Sequence, residues 1–175
     1  MAEKKRKGRR AYLEDFKPNA AGEYIYYGAH YAWGGGRKRT LARLWLLSAA
    51  SFCVSLANGC IPGTGMDGRP YVVLPYVAAL IGAFSQLWAV GRLSSGGDPL
   101  REYVYEATVK KLPLRAVLTA VCAGVAILGE LAGVVLTQFS GGILFAILFM
   151  ALETVVLAAS FLLRRTILRL EWTKK

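Results

Sequence analysis

The chain has 175 residues, 55% of them hydrophobic, and a mean hydropathy of +0.39, which is too apolar for a soluble domain of this size. The formal net charge of +11 raises the question of a nucleic-acid partner, but no aromatic-basic recognition module accompanies the basic residues. The single histidine and three cysteines lack zinc spacing, and no glycine-rich phosphate loop or nucleophile elbow occurs, so we expect no enzyme activity, cofactor, metal site or nucleic-acid binding.

Residues 1–40 form a predicted cytoplasmic segment with a basic head and an aromatic stretch. Gly28 suits the first central position of a type II′ turn, which predicts a short β-hairpin. The anchors of that hairpin would share one face, since Tyr26 would pair with Tyr31 and Tyr24 with Trp33. Such a face suits the headgroup interface of a membrane, and the basic residues that follow suit anionic headgroups. The alternative is a disordered tail.

Four apolar runs are each close to the roughly 20 residues that a membrane-spanning helix requires. They predict an all-α, four-helix bundle in a membrane domain over 41–165, followed by a basic tail over 166–175. The predicted spans are 44–61, 71–91, 116–139 and 143–163.

The connection between the second and third spans predicts an interfacial amphipathic helix over 99–111. Asp98 and Pro99 are typical of a helix start. Glu106 and Lys110 have the favourable i,i+4 order, and apolar residues recur on one face. This helix would either cover the end of the bundle or bind a partner.

The basic residues are distributed asymmetrically between the two sides of the predicted bundle. Of the 22 Lys and Arg residues, 21 lie in the N-terminal segment, the second connection and the tail, while only Arg69 lies in the other connections. The positive-inside rule therefore predicts a multi-pass protein of the cell membrane with both termini in the cytoplasm.

Each predicted span carries one stripe of polar or small residues at helical spacing. Lipid-facing surfaces are apolar, so these stripes should face the bundle interior or a partner subunit. The candidate polar lining residues are Ser48, Ser51, Ser55, Asn58, Gln86, Thr119, Thr137 and Ser160.

Two acidic residues, Glu130 and Glu153, lie inside the third and fourth spans. If the turn lies at 140–142, both are about 14 Å from the outer end and so at one depth near the bilayer centre. A carboxylate there costs several kcal/mol unless it is protonated, paired or hydrated. The pair is either hydrogen-bonded glue between helices or a site that holds a proton or a cation.

Two functions remain open from the sequence. One is a small proton- or cation-coupled transporter or channel subunit that uses Glu130 and Glu153. The other is a non-catalytic membrane subunit or assembly protein that binds a partner through its cytoplasmic segments. Four spans are few for a transporter acting alone, so we expect a homo-oligomer or a membrane complex.

Overall fold

The computed structural model describes residues 16–19, 22–62, 64, 68–136 and 143–174. It is mostly helical, and the prediction of four long apolar helices is confirmed: each is long and apolar enough to cross a membrane. These helices are α1 (Arg37–Asn58), α2 (Pro70–Ser95), α4 (Leu112–Leu136) and α5 (Ile143–Leu168), with a short α3 (Glu102–Ala107) before α4.

The helices extend beyond the apolar runs that predicted them. α1 begins at Arg37 because basic residues are good helix formers that a hydropathy window does not detect. It ends at Asn58, three residues before the predicted end, and Gly59 follows. α2 begins with Pro70, a residue that suits the first helical position because its missing N–H has no intrahelical partner there.

The four long helices form a ring in the order α1, α2, α4, α5, and each packs against its two neighbours in that ring. α1 ends and α2 begins at one end of the bundle, where α4 also ends and α5 begins; we call this the loop end. The opposite end carries short strands and is called the strand end. Neighbouring helices in the ring are therefore antiparallel.

Two small antiparallel sheets lie before α1 and at the strand end. β1 pairs with β2, and β3 is the central strand between β4 and β5. The strands are β1 (Phe16–Pro18), β2 (Tyr24–Tyr26), β3 (His30–Gly34), β4 (Leu100–Arg101) and β5 (Glu171–Lys174). Since β3 precedes α1, β4 follows α2 and β5 follows α5, the sheet joins three distant segments at one end of the bundle.

The aromatic segment forms strands, as expected, but the predicted pairing is wrong. Tyr24 pairs with Pro18 in the β1–β2 hairpin rather than with Trp33. Trp33 pairs with Trp172 of β5, and the two rings lie 4.7 Å apart between centroids. Tyr31 likewise pairs with residues of β4 and β5. Partners distant in sequence replace the local turn, and their rings pack against each other. The mostly helical fold therefore contains more β-structure than the predicted short hairpin.

The interfacial helix is shorter than predicted. Residues 100–101 form β4, and α3 covers only Glu102–Ala107, with Arg101 as its N-cap residue. Asp98 caps no helix and instead lies 3.8 Å from the Arg37 guanidinium. The predicted Glu106–Lys110 pair does form, at 3.0 Å. Part of the predicted tail is also structured, since residues 171–174 are β5.

An apolar cluster closes the bundle at the strand end. Trp33 and Trp172 of the sheet and Tyr105 of α3 pack against it. We call it the strand-end cluster; its buried members are Leu44, Ala89, Val90, Leu93, Leu100, Val104, Val109, Leu112, Ala116, Leu163 and Ile167.

Candidate functional site

The polar side chains predicted to line the bundle lie inside it. Their exposed fraction is at most 1%, so none faces the outer surface of the bundle. These residues are Ser48, Ser51, Ser55, Asn58, Gln86, Thr119 and Ser160. Thr137 lies outside the described residues. Glu130 and Glu153 are also buried, at 1% and 0% exposure.

Glu153 of α5 is held by the last residue of α1. The Asn58 side-chain amide donates to Glu153 Oε1 at 2.9 Å and to the Phe149 backbone carbonyl at 3.3 Å. Asn58 occupies this position because α1 ends there, so its side chain reaches across to α5 instead of capping its own helix. The contact fixes one carboxyl oxygen and leaves the other available.

Three buried oxygens near this contact lack a hydrogen-bond partner in the described part of the chain. They are Glu153 Oε2, Asn58 Oδ1 and Ser55 Oγ. A buried acceptor without a donor costs roughly 1–3 kcal/mol. A proton on Glu153 would add one donor, which can satisfy one oxygen; a cation or a water can serve several.

Tyr76 of α2 completes this layer and was missed by the sequence analysis. Its hydroxyl donates to the Ser55 backbone carbonyl at 2.8 Å, and its ring packs beside Phe149. The signal was present, because Tyr76 precedes Ala79 by three residues and so continues the polar stripe of the second span toward the loop end. We call Ser55, Asn58, Tyr76 and Glu153 the first polar layer.

Glu130 does not share this layer. Glu153 Oε1 accepts from Asn58, and Glu153 Oε2 has no hydrogen-bond partner among the described residues. Ala126 of α4 and Phe149 of α5 share one apolar cluster, and Ala123 and Val156 share the next. Because the two helices are antiparallel, these pairs place the acidic residues roughly 6–12 Å apart along the bundle. The expectation of equal depth rested on a turn at 140–142, whereas α4 as described ends at Leu136.

The surroundings of Glu130 are formed by the start of α2. A Cβ atom on Gly129 would meet the Tyr71 carbonyl at 2.8 Å, so α2 and α4 approach closely there. The Arg69 guanidinium lies against Gly133, one turn from Glu130 on the same face of α4. The single basic residue predicted outside the cytoplasm thus packs at the loop end near an acidic residue.

A second set of polar side chains lies nearer the strand end. The Gln86 amide donates to Ser160 Oγ at 3.2 Å, while Gln86 Oε1 has no partner among the described residues. Ser51 and Ser160 are each seven residues from the Asn58–Glu153 contact on antiparallel helices, so they lie at one level, roughly 10 Å away. We call Ser51, Gln86 and Ser160 the second polar layer.

No family model, curated protein or solved structure matches this chain.

The side-chain oxygens of the site favour a proton, a water molecule or a hard cation over a transition metal. In the described residues no group of three or more His, Cys, Asp or Glu side chains could hold a metal ion. Neither of the two salt bridges found there involves Glu153. Carboxylate, amide and hydroxyl oxygens suit protons, water and hard cations.

The predicted interface anchors are largely used inside the protein. Tyr31 stacks on Tyr105 at 4.1 Å, and Trp33 packs on Trp172. Tyr26 contacts His30 and Tyr103. Only Tyr24 remains mainly exposed, at 73%.

Proposed function

We propose that the protein is a small proton- or cation-coupled transporter or channel subunit of the cell membrane, with Glu153 as its ion-binding carboxyl. The observation that carries the proposal is the first polar layer, in which Glu153 Oε2 and Asn58 Oδ1 are buried without a donor from the described chain. Packing alone does not need such a group, since apolar residues of similar shape would avoid its desolvation cost.

Glu153 would bind either a proton or a small cation that takes the place of the proton. A proton on Glu153 neutralises the carboxyl, and the same oxygens can coordinate a cation when the carboxyl is ionised. Glu130, roughly 6–12 Å nearer the loop end, would meet the ion earlier on its way to Glu153. No catalytic role is assigned to either residue.

The proposed environment is a lipid bilayer with the strand end in the cytoplasm. Support comes from the distribution of charge, since the basic residues of the connection between α2 and α4 and of the C-terminal tail lie at the same end of the bundle as β3, β4 and β5. Anionic headgroups would contact this end. A homo-oligomer or a membrane complex would be the working unit because four spans enclose little space.

The test is labelling of the purified protein in lipid with a hydrophobic carbodiimide over a pH series, with adducts located by mass spectrometry. Carbodiimides react with protonated carboxyls, so we expect labelling of Glu153 to fall as the pH rises and to be slowed by the cation that competes for the site. Glu153→Gln should abolish ion uptake into proteoliposomes, whereas Glu106→Gln, which changes an exposed carboxyl, should not. Absence of labelling from acid to alkaline pH, together with no effect of Glu153→Gln on uptake, would refute the proposal.

A second candidate is a membrane subunit that binds a partner protein, and one observation favours it. The β1–β2 hairpin is a separate two-stranded sheet whose Tyr24 and Ile25 side chains are exposed, as is that of Tyr27 directly after it. Such a hairpin is marginally stable alone, so a partner could order it. This function predicts that another protein co-purifies in fixed stoichiometry and is lost when residues 16–26 are deleted.

A further inference from the structure

The second polar layer is a buried group of neutral oxygens that the proposed ion-binding carboxyl does not account for. Gln86 Oε1 and Ser51 Oγ have no hydrogen-bond partner in the part of the chain that the structure describes, and both residues are fully buried. A carbonyl oxygen such as Gln86 Oε1 can only accept, so its natural ligands are a water molecule or a cation.

An apolar layer separates this group from Glu153. Ala79, Ala123 and Val156 form one buried cluster. Val156 lies three residues after Glu153 and four before Ser160, while Ala79 lies between Tyr76 and Gln86. The cluster therefore lies between the two polar layers. Its side chains are small, so a slight rearrangement would be enough to open a path between the layers.

The strand-end cluster bounds the second polar layer on its other side. Leu163 follows Ser160 by three residues, and Val90 follows Gln86 by four; both belong to that cluster. The second layer is thus enclosed between two apolar layers. A group placed there would lose most of its contact with bulk water.

We propose that Ser51, Gln86 and Ser160 form a second station for a small cation, and that Ala79, Ala123 and Val156 form the constriction between this station and Glu153. This inference rests on the proposed function and extends that function, since it identifies a second binding site on the path of the ion after Glu153. The station is neutral, so it holds a partly dehydrated cation more weakly than Glu153 does and allows the ion to leave.

Silver ion provides a probe, because it is a small monovalent cation that binds thiols. The three native cysteines are replaced by alanine, and one thiol is then introduced by Ser160→Cys beyond the constriction or by Ser55→Cys before it. Protein in liposomes is exposed to silver, and protection of the thiol from later alkylation after denaturation is measured against time. Native Cys53, retained alone, is the control. It lies on α1 between Ser51 and Ser55 but on the outer surface of the bundle, where it would face lipid in the liposome instead of the polar layers.

We expect the Ser55→Cys and Ser160→Cys thiols to be protected and Cys53 to react with silver much more slowly. Adding Ala79→Leu, which fills the constriction, should slow protection of Ser160→Cys at least tenfold and leave Ser55→Cys unchanged. Val156→Ala should accelerate the protection of Ser160→Cys. If Ala79→Leu does not fold, as judged by gel filtration, Val156→Ala alone tests the constriction.

The outcomes separate the two proposals. If Ser55→Cys is protected but Ser160→Cys is not, the second station is refuted and the Glu153 site stands. If Ser160→Cys is protected at the same rate with and without changes at Ala79 and Val156, the constriction is refuted. If neither thiol is protected, no small cation reaches either polar layer: the second station is refuted, and the proposed function is restricted to a proton on Glu153, which the carbodiimide labelling tests separately.

Discussion

The hydrogen bond between Asn58 and Glu153 allows a quantitative test of the first polar layer. Asn58→Leu keeps the side-chain volume but removes the donor to Glu153 Oε1 and the bond to the Phe149 carbonyl. The carboxyl is then buried without a partner from the described chain. Leaving a buried polar group unsatisfied costs roughly 1–3 kcal/mol, although hydrogen bonds measured between membrane helices average nearer 0.6 kcal/mol.

We therefore expect Asn58→Leu to lower the free energy of unfolding by about 1–2 kcal/mol. Glu153→Gln should change it by less than about 1 kcal/mol, because the amide keeps an acceptor for Asn58 and adds a donor for Asn58 Oδ1. Replacing both partners, as Asn58→Leu with Glu153→Met, should cost less than the sum of the single changes, since the unpaired carboxyl is gone.

The assay is reversible unfolding in lipid bicelles, followed over a double-mutant cycle. A coupling energy above about 0.5 kcal/mol is expected between positions 58 and 153. The control cycle pairs Glu130→Gln with Glu153→Gln, which should be additive because the two residues lie at different levels. Additivity at 58 and 153, or strong coupling between the two acidic residues, would show that the reasoning about this layer is wrong.

Three further predictions concern packing and charge outside the first polar layer. Gly129→Ala should destabilise the bundle by about 1–3 kcal/mol, because its new Cβ meets backbone at 2.8 Å, whereas Gly124→Ala, with its nearest contact at 3.7 Å, should be tolerated in the same unfolding assay. Trp172→Ala should cost about 2–3 kcal/mol and expose the C-terminal strand to limited proteolysis, and unchanged protease resistance would argue against the three-stranded sheet. Glu106→Gln should cost less than about 0.5 kcal/mol. The Glu106 carboxylate raises the pKa of Lys110 above 10.5, so the pair's small contribution is present below that pH and is lost as pH rises through the raised pKa; a larger effect at pH 7 would contradict its surface character.

The sequence predicted the features that depend on local periodicity. Four apolar runs and a 3.6-residue spacing of polar side chains are enough to predict four helices and the faces that they bury. Tyr76 was missed because Gln86 was the only residue of the second span named as a candidate lining residue. Gly82 packs against Thr119 of α4, whereas Tyr76 and Gln86 reach α1 and α5 respectively.

The three-stranded sheet could not be predicted because its pairing is not local. β3 meets residues about 70 positions away in β4 and about 140 away in β5. β5 has only four residues, two of them charged, and carries no clear alternation of apolar and polar side chains. Its position depends on Trp172 packing with Trp33 and Tyr105, a contact visible only once the bundle has brought both ends of the chain together.

Because the sheet holds three segments at one end of the bundle, locating one of them relative to a membrane locates all three. β3, β4 and β5 join the N-terminal segment, the connection between α2 and α3 and the C-terminal tail, so these three segments lie at one end of the bundle and would share one side of a membrane that the bundle spans. Cys60, which is exposed just after α1, lies at the loop end, opposite to the sheet. The positive-inside rule then predicts that Cys60 faces away from the cytoplasm.

A membrane-impermeant thiol reagent added to intact cells checks this prediction. With Cys53 and Cys122 replaced by alanine, Cys60 should be modified at once. In a chain without native cysteines, Gly97→Cys, which places a thiol on an exposed linker position at the strand end, should react only after lysis. The reverse pattern would place the strand end outside, overturn the orientation, and reverse the side from which an ion reaches Glu130 before Glu153. Labelling of both thiols in intact cells would contradict the crossing of the membrane by α2, because Cys60 and position 97 lie at opposite ends of that helix.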